Sequence, residues 1–258
     1  MCIRDSDRRR VRDRVSELKA ELTEIARNEE TRRSRRQGTN RVALIGYTNA
    51  GKSSLMRALT STEVLVEDKL FATLGTTVRA LSPEVLPRIL VSDTVGFIKK
   101  LPHDLVASFR STLAEAAEAS FLLFVVDASD PAFRDQLAVT REVTAEIGVS
   151  DTPQLLVLNK RDKLSDEQRE ALALEFPDAV MVSAKDPDDI AMMHTTIVAF
   201  FESTYEDTVL IVPYTRGSVA GEIRRSLTVV SEVFEEDGTH LRVKAPAMDV
   251  ARIRALLA

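Results

Sequence analysis

Gly46-Tyr47-Thr48-Asn49-Ala50-Gly51-Lys52-Ser53 sits between a short apolar run, Val42 to Ile45, and an amphipathic stretch with apolar positions from Leu55 to Leu59. The octapeptide fits the pattern G-x-x-x-x-G-K-[ST] in a strand-loop-helix setting. Its glycines let the backbone bend round a phosphate chain with successive N–H groups turned inward, and the N-terminus of the following helix adds partial positive charge. Tyr47, Thr48, Asn49 and Ala50 supply the body of that loop, and Ser54 extends it into the first helical turn. Lys52 is the cation expected to reach the β- and γ-phosphates, and the Ser53 hydroxyl is the oxygen expected to coordinate Mg2+. A loop of this kind selects a nucleoside triphosphate and leaves the base open.

The base is chosen further along the chain. Asn159-Lys160-Arg161-Asp162 directly follows the apolar run Leu155 to Leu158. A carboxylate held against a base edge accepts hydrogen bonds from N1–H and the exocyclic amine of guanine, whereas adenine presents an acceptor there. Asp162 is therefore the expected guanine selector, Asn159 a brace for the phosphate loop and Lys160 a stem lying over the base. Ser183-Ala184-Lys185, after Val180 to Val182, is expected to offer a backbone N–H to the guanine carbonyl. Between these motifs lies Asp93-Thr94-Val95-Gly96, at the end of the run Ile89 to Val91. Asp93 can hold a water on Mg2+ and Gly96 can donate its N–H to the γ-phosphate, so loss of that phosphate would release the following segment. Taken alone, the same Asp could simply cap a turn. Upstream, the polar stretch Leu70 to Arg79 must bring a threonine to the metal; Thr77 is the first choice and Thr76 the second. Lys52, Thr77 and Gly96 are thus the residues expected to serve the reacting phosphate, and Ser53, Thr77 and Asp93 the expected metal set.

Outward from these motifs, short apolar runs alternate with helical stretches from Arg41 to about Thr204, which reads as an α/β fold with a mostly parallel sheet. The helical stretches are Leu55 to Leu59, Leu105 to Ala117, Ala132 to Ile147, Asp166 to Leu174 and Ile190 to Phe201. After Tyr205 the order becomes strand, helix, a strand pair turning at Asp237-Gly238, and a last helix. Three domains are expected: a basic helical segment over 1–40, a P-loop GTPase domain over 41–204 and a small α+β domain over 205–258. In the first, Val11, Val15, Leu18, Leu22 and Ile25 are spaced four, three, four and three, a heptad seam that needs a partner helix.

The ordered set of Gly46 to Ser53, Leu-Phe-Ala-Thr-Leu at 70–74, Asp93 to Leu105, Phe109 to Leu113 and Asn159 to Asp162 resembles the HflX family of ribosome-associated GTPases. The stretch after Asp93 is the most specific part. The resemblance runs from about Leu18 to the C-terminus and lacks the family's N-terminal domain, so the chain reads as a fragment. It departs from the family at Gly75, where an Asp usually precedes the switch threonine. Membership implies GTP hydrolysis stimulated by the large ribosomal subunit and, in some members, splitting of stalled or idle ribosomes. A GTP/GDP-dependent module for a non-ribosomal partner is the competing reading. Phe97 follows Asp-x-x-Gly where Ras-like enzymes carry a water-orienting glutamine, which predicts slow unaided hydrolysis. Asn49 is weighed equally as a K+ ligand beside the phosphates and as a turn former.

Composition sets the outer bounds. The 258 residues carry 35 basic and 40 acidic side chains, with 44% hydrophobic residues. The charge is uneven: the first 41 residues hold 13 Lys or Arg against 8 Asp or Glu, so a basic head precedes an acidic body. Such a head can meet nucleic acid, an anionic membrane or an acidic protein, and equally be a solvated helix face. No apolar run approaches the roughly 20 residues of a membrane span. Cys2 is the sole cysteine and no apolar stretch follows the early arginines, so the expected compartment is the cytoplasm. His103, His194 and His240 lack metal-ligand spacing, Met192 and Met193 are expected in the core, and Arg216, Arg224 and Arg225 are expected on a solvated face.

Overall fold

Val42, Ala43, Leu44 and Ile45 are apolar without alternation because both faces of their strand are covered. In the computed structural model of the chain, all four are completely buried. The structure describes residues 40–60, 77–93, 118–146, 149 and 152–257, which belong to one compact unit, Thr39–Ala258. The heptad seam, the stretch Leu70 to Thr76, Gly96, Phe97, His103 and the stretch Leu105 to Ala117 lie outside the described residues.

The first sheet contains β1 (Asn40–Ile45), β2 (Thr77–Ala80), β3 (Ile89–Asp93), β4 (Phe121–Asp127), β5 (Gln154–Asn159) and β6 (Val180–Met181), in the order β2-β3-β1-β4-β5-β6. Every pairing is parallel except β2 with β3. Helices α1 (Lys52–Thr60), α2 (Phe133–Glu146), α3 (Asp166–Glu175) and α4 (Pro187–Glu202) alternate with the strands. β1 and β4 divide their residues between two cores: Val42, Leu44 and Val125 pack with Leu55, Leu59 and Ile197, whereas Ala43, Ile45 and Val126 pack with Phe133 and Leu137. Phe200 of α4 stacks on Phe121 with ring centroids 3.9 Å apart. Helix α3 begins with a capping box in which Ser165 and Gln168 satisfy each other's backbone N–H groups.

β2 differs from expectation. The polar connecting segment expected over Leu70 to Arg79 does not stay irregular to its end: Thr77 to Ala80 form an edge strand registered from Thr77 opposite Asp93 to Ala80 opposite Leu90. A four-residue edge strand has one partner and little buried surface, so no apolar pattern announces it. Met192 and Met193 both lie in α4 as expected, but the core expectation needs correction for one of them: Met193 is buried and Met192 is exposed, because neighbouring helical residues project about 100° apart.

A second sheet, β7-β9-β8, follows. It comprises β7 (Glu206–Val212), β8 (Thr228–Glu235) and β9 (Gly238–Ala245), with α5 (Gly217–Ser226) and α6 (Ala247–Leu257). Leu210, Leu241, Val243, Ile223 and Ile253 form its core. Arg224 pairs with Glu232 and Arg216 donates to Leu256 O, so both guanidiniums are engaged within the chain. Among the described residues no helix is long and apolar enough to cross a membrane.

Candidate functional site

Two close approaches shape the loop between β1 and α1. At Gly46 a Cβ would stand 2.1 Å from Val125 O, a backbone atom of β4 that cannot yield. At Gly51, where φ is +94°, a Cβ would stand 2.2 Å from Asn159 Nδ2. Ala50 N–H donates to Tyr47 O at 3.3 Å, and Asn49 between them takes φ 63°, a left-handed conformation that Asn tolerates better than most residues. Thr48 lies within the same turn, and Ser53 and Ser54 follow in the first turn of α1.

Lys52 begins α1 and is only 6% exposed. Its Nζ donates to Gly46 O and Tyr47 O, both at 3.0 Å. Burial pushes its pKa down to about 8, against the opposing pull of the Asp93 carboxylate. A desolvated ammonium enclosed by a backbone loop is a seat for an anion, because a bound phosphate oxygen compensates the buried charge. Beside it, Ser53 Oγ donates to Asp93 Oδ2 at 2.6 Å. Asp93 ends β3 and is itself buried. Thr77 stands directly opposite in register, and directly opposed residues of an antiparallel pair project to the same face. The set is two hydroxyls and a carboxylate, hard oxygen donors that suit Mg2+. Among the described residues no cluster of three His, Cys, Asp or Glu side chains offers a metal site of another kind.

The other motifs arrive at the same edge of the sheet. Asn159 ends β5 and is 1% exposed. Its Nδ2 donates to Ala50 O at 2.8 Å, and its Oδ1 accepts Ala184 N–H at 3.3 Å. Lys160 follows with φ 64°; its Nζ donates to Asn49 O at 2.8 Å and to Asp127 Oδ2 at 2.7 Å. Among the described residues, Asn49 and Lys160 are the two non-glycines with positive φ, and this bond joins them. Strained backbone of this sort persists where surrounding contacts over-determine it. Asp162 lies in a short 3-10 turn, Arg161–Lys163. Its Oδ1 accepts from Ser183 Oγ at 2.8 Å, and Lys185 Nζ stands 3.8 Å from Oδ2. The Ser183 bond holds the Asp162 carboxyl below its usual pKa, so it presents an ionised acceptor at neutral pH. Ser183, Ala184 and Lys185 form the turn between β6 and α4.

Two carboxylates that no motif named frame the site. Asp127 ends β4 in register with Asn159. Burial raises its pKa, but hydrogen bonds from Lys160 and Ser129 outweigh that and leave it lowered. Its position at the carboxyl end of a parallel strand was a usable signal. The other is Asp189 in the first turn of α4, buried and accepting Ser183 N–H at 2.7 Å. In sequence it reads as an ordinary helix-start acid.

A family model described as a 50S ribosome-binding GTPase matches residues 41–160. GTPase HflX of Gluconacetobacter diazotrophicus is 58% identical over 252 residues, 98% of this chain and 56% of that protein. The chain belongs to the HflX family. GTPase HflX of Escherichia coli is 34% identical over 254 residues, covering 96% of this chain and 60% of that one. The chain spans about half the length of the curated HflX relatives it matches. Among solved structures, that of SsGBP in complex with GDP aligns with a TM-score of 0.55 at 27% identity, covering 76% of this chain and 60% of that chain.

Proposed function

We propose that this chain is the GTP-binding, GTP-hydrolysing switch of an HflX protein, acting in the cytoplasm on the large ribosomal subunit through rRNA and protein contacts. The observation that supports it most is Asn159, whose one amide bonds both the phosphate loop at Ala50 and the base loop at Ala184. A site so joined fits a ligand with phosphates at one end and guanine at the other. Lys52 neutralises phosphate oxygens, Asp162 accepts from the guanine edge, and the Ser183-Ala184-Lys185 turn offers N–H groups to the guanine carbonyl. Ser53, Thr77 and Asp93 would hold Mg2+, which when bound screens charge on the β- and γ-phosphates. Gly96 N–H would sense the γ-phosphate, and Phe97 leaves the attacking water without a glutamine to orient it. Hydrolysis is therefore slow until a partner orders the site.

Large ribosomal subunits are expected to accelerate steady-state GTP turnover by several orders of magnitude, up to about 10⁵-fold. The chain is also expected to sediment with them in a non-hydrolysable GTP analogue and to leave in GDP. Turnover indifferent to ribosomes would favour the module for a non-ribosomal partner. Ribosome splitting or rescue is the activity proposed downstream of that binding. Asn49 is further proposed to place K+ beside the phosphates: KCl should support faster turnover than NaCl, and Asn49→Ala should abolish the difference. Equal rates in both salts for the unaltered chain would remove K+ from the mechanism.

A further inference from the structure

We infer that Arg161 and Asp189 form a positioning pair that sets base discrimination, acting through Ser183 on Asp162. This rests on the guanine-nucleotide reading above and adds two residues that recognise no ligand themselves.

Arg161 occupies the variable place of the Asn-Lys-x-Asp motif, next to the base-selecting carboxylate. Its Nη2 bridges Asp186 Oδ2 at 2.9 Å and Asp189 Oδ2 at 3.0 Å. Its backbone is tied as well, with N–H donating to Val182 O at 3.0 Å and its carbonyl accepting Arg169 Nη2 at 3.3 Å. The Asp189 side chain is 5% exposed. Besides the guanidinium it takes Ser183 N–H at 2.7 Å. Ser183 in turn gives its hydroxyl to Asp162 Oδ1 at 2.8 Å and accepts Lys185 N–H on the same oxygen at 3.3 Å. A relay thus runs from Arg161 through Asp189 and Ser183 to Asp162, closing on the residue beside its origin.

A pair between the buried Asp189 carboxylate and a partly exposed guanidinium adds little net stability, since desolvation offsets the attraction, and its effect here is on geometry. Here the fixed quantity is the plane of the Asp162 carboxylate. Guanine offers that carboxylate two donors, N1–H and the 2-amino group, whereas hypoxanthine offers N1–H alone. Accurate aim is needed to collect both bonds. The pair therefore expresses itself as preference for guanosine over inosine nucleotides.

The test is to measure dissociation constants for GDP and IDP with the 258-residue chain and its variants. The unaltered chain should prefer GDP by about tenfold or more, the worth of one hydrogen bond to a charged acceptor. Arg161→Ala and Asp189→Ala should weaken GDP about tenfold and IDP much less, driving the ratio toward one. Arg161→Lys, which keeps a cation able to bridge both carboxylates, should retain most of the preference. Arg161 is partly exposed, so its alanine variant carries the test where Asp189→Ala does not fold. Parallel weakening of both nucleotides, with the ratio preserved, would mean that the pair merely stabilises the fold and would overturn the inference, as would unchanged affinities. An unaltered chain that binds no guanine nucleotide would overturn the underlying reading together with it.

Discussion

Lys52 carries its charge into a loop that leaves it 6% exposed, and burial lowers its pKa to about 8 from the ordinary 10.5. Two consequences of opposite sign follow. Between about pH 8 and 10.5 the unfolded chain holds a proton on this lysine that the folded ligand-free chain lacks, so folding stability rises with pH across that window. With Lys52 in its proposed role, nucleotide phosphates would bind the protonated form, so GDP affinity is expected to fall above about pH 8, by up to about tenfold per pH unit. Thermal melts and titration calorimetry from pH 7 to 10 check both, and Lys52→Gln should flatten both profiles. At this scale the sequence was most readable where chemistry admits few alternatives. Gly46 and Gly51 face atoms 2.1 and 2.2 Å from any added Cβ, and such crowding is what a glycine-bounded pattern reports. Asp189 was illegible because an acid in a first helical turn is ordinary, and its contact with Ser183 depends on how the preceding turn folds back.

Among the elements, the strands of the parallel sheet were legible as uninterrupted apolar runs. The runs at Val42, Phe121 and Leu155 fall within β1, β4 and β5, each extended by one or two residues. Those extensions carry the polar ends that matter: Asp127 and Asn159 are the last residues of their strands, where hydrophobicity stops while backbone pairing continues. β2 was hidden for the converse reason. Its placement comes from hydrogen bonding to β3, and its register sets Thr77 opposite Asp93. Pairing partners are a long-range property that local periodicity does not contain. Helix α4 shows the limit of adjacency as evidence, since Met192 and Met193 share a neighbourhood in sequence and lie on different faces.

At the scale of the molecule, the buried hydrophobic residues among those described gather into cores that each belong to one sheet. The nucleotide motifs all draw on the six-stranded sheet, whereas Ile223 is completely buried beneath the three-stranded one. Ile223→Ala should cost about 2–5 kcal/mol of stability and leave GDP affinity within about twofold, because additivity holds between distant sites. Denaturant melts with and without GDP measure both; a large loss of affinity would show that the smaller sheet shapes the pocket. At the larger sheet, the carboxamide of Asn159 has a consequence for traffic through the site. One side chain is hinged to both rims of the cleft, with its nitrogen on Ala50 and its oxygen on Ala184. Prising up either rim therefore slackens the opposite one. On the proposed reading of the site, a protein that hastens ejection of spent nucleotide would need purchase on a single lip.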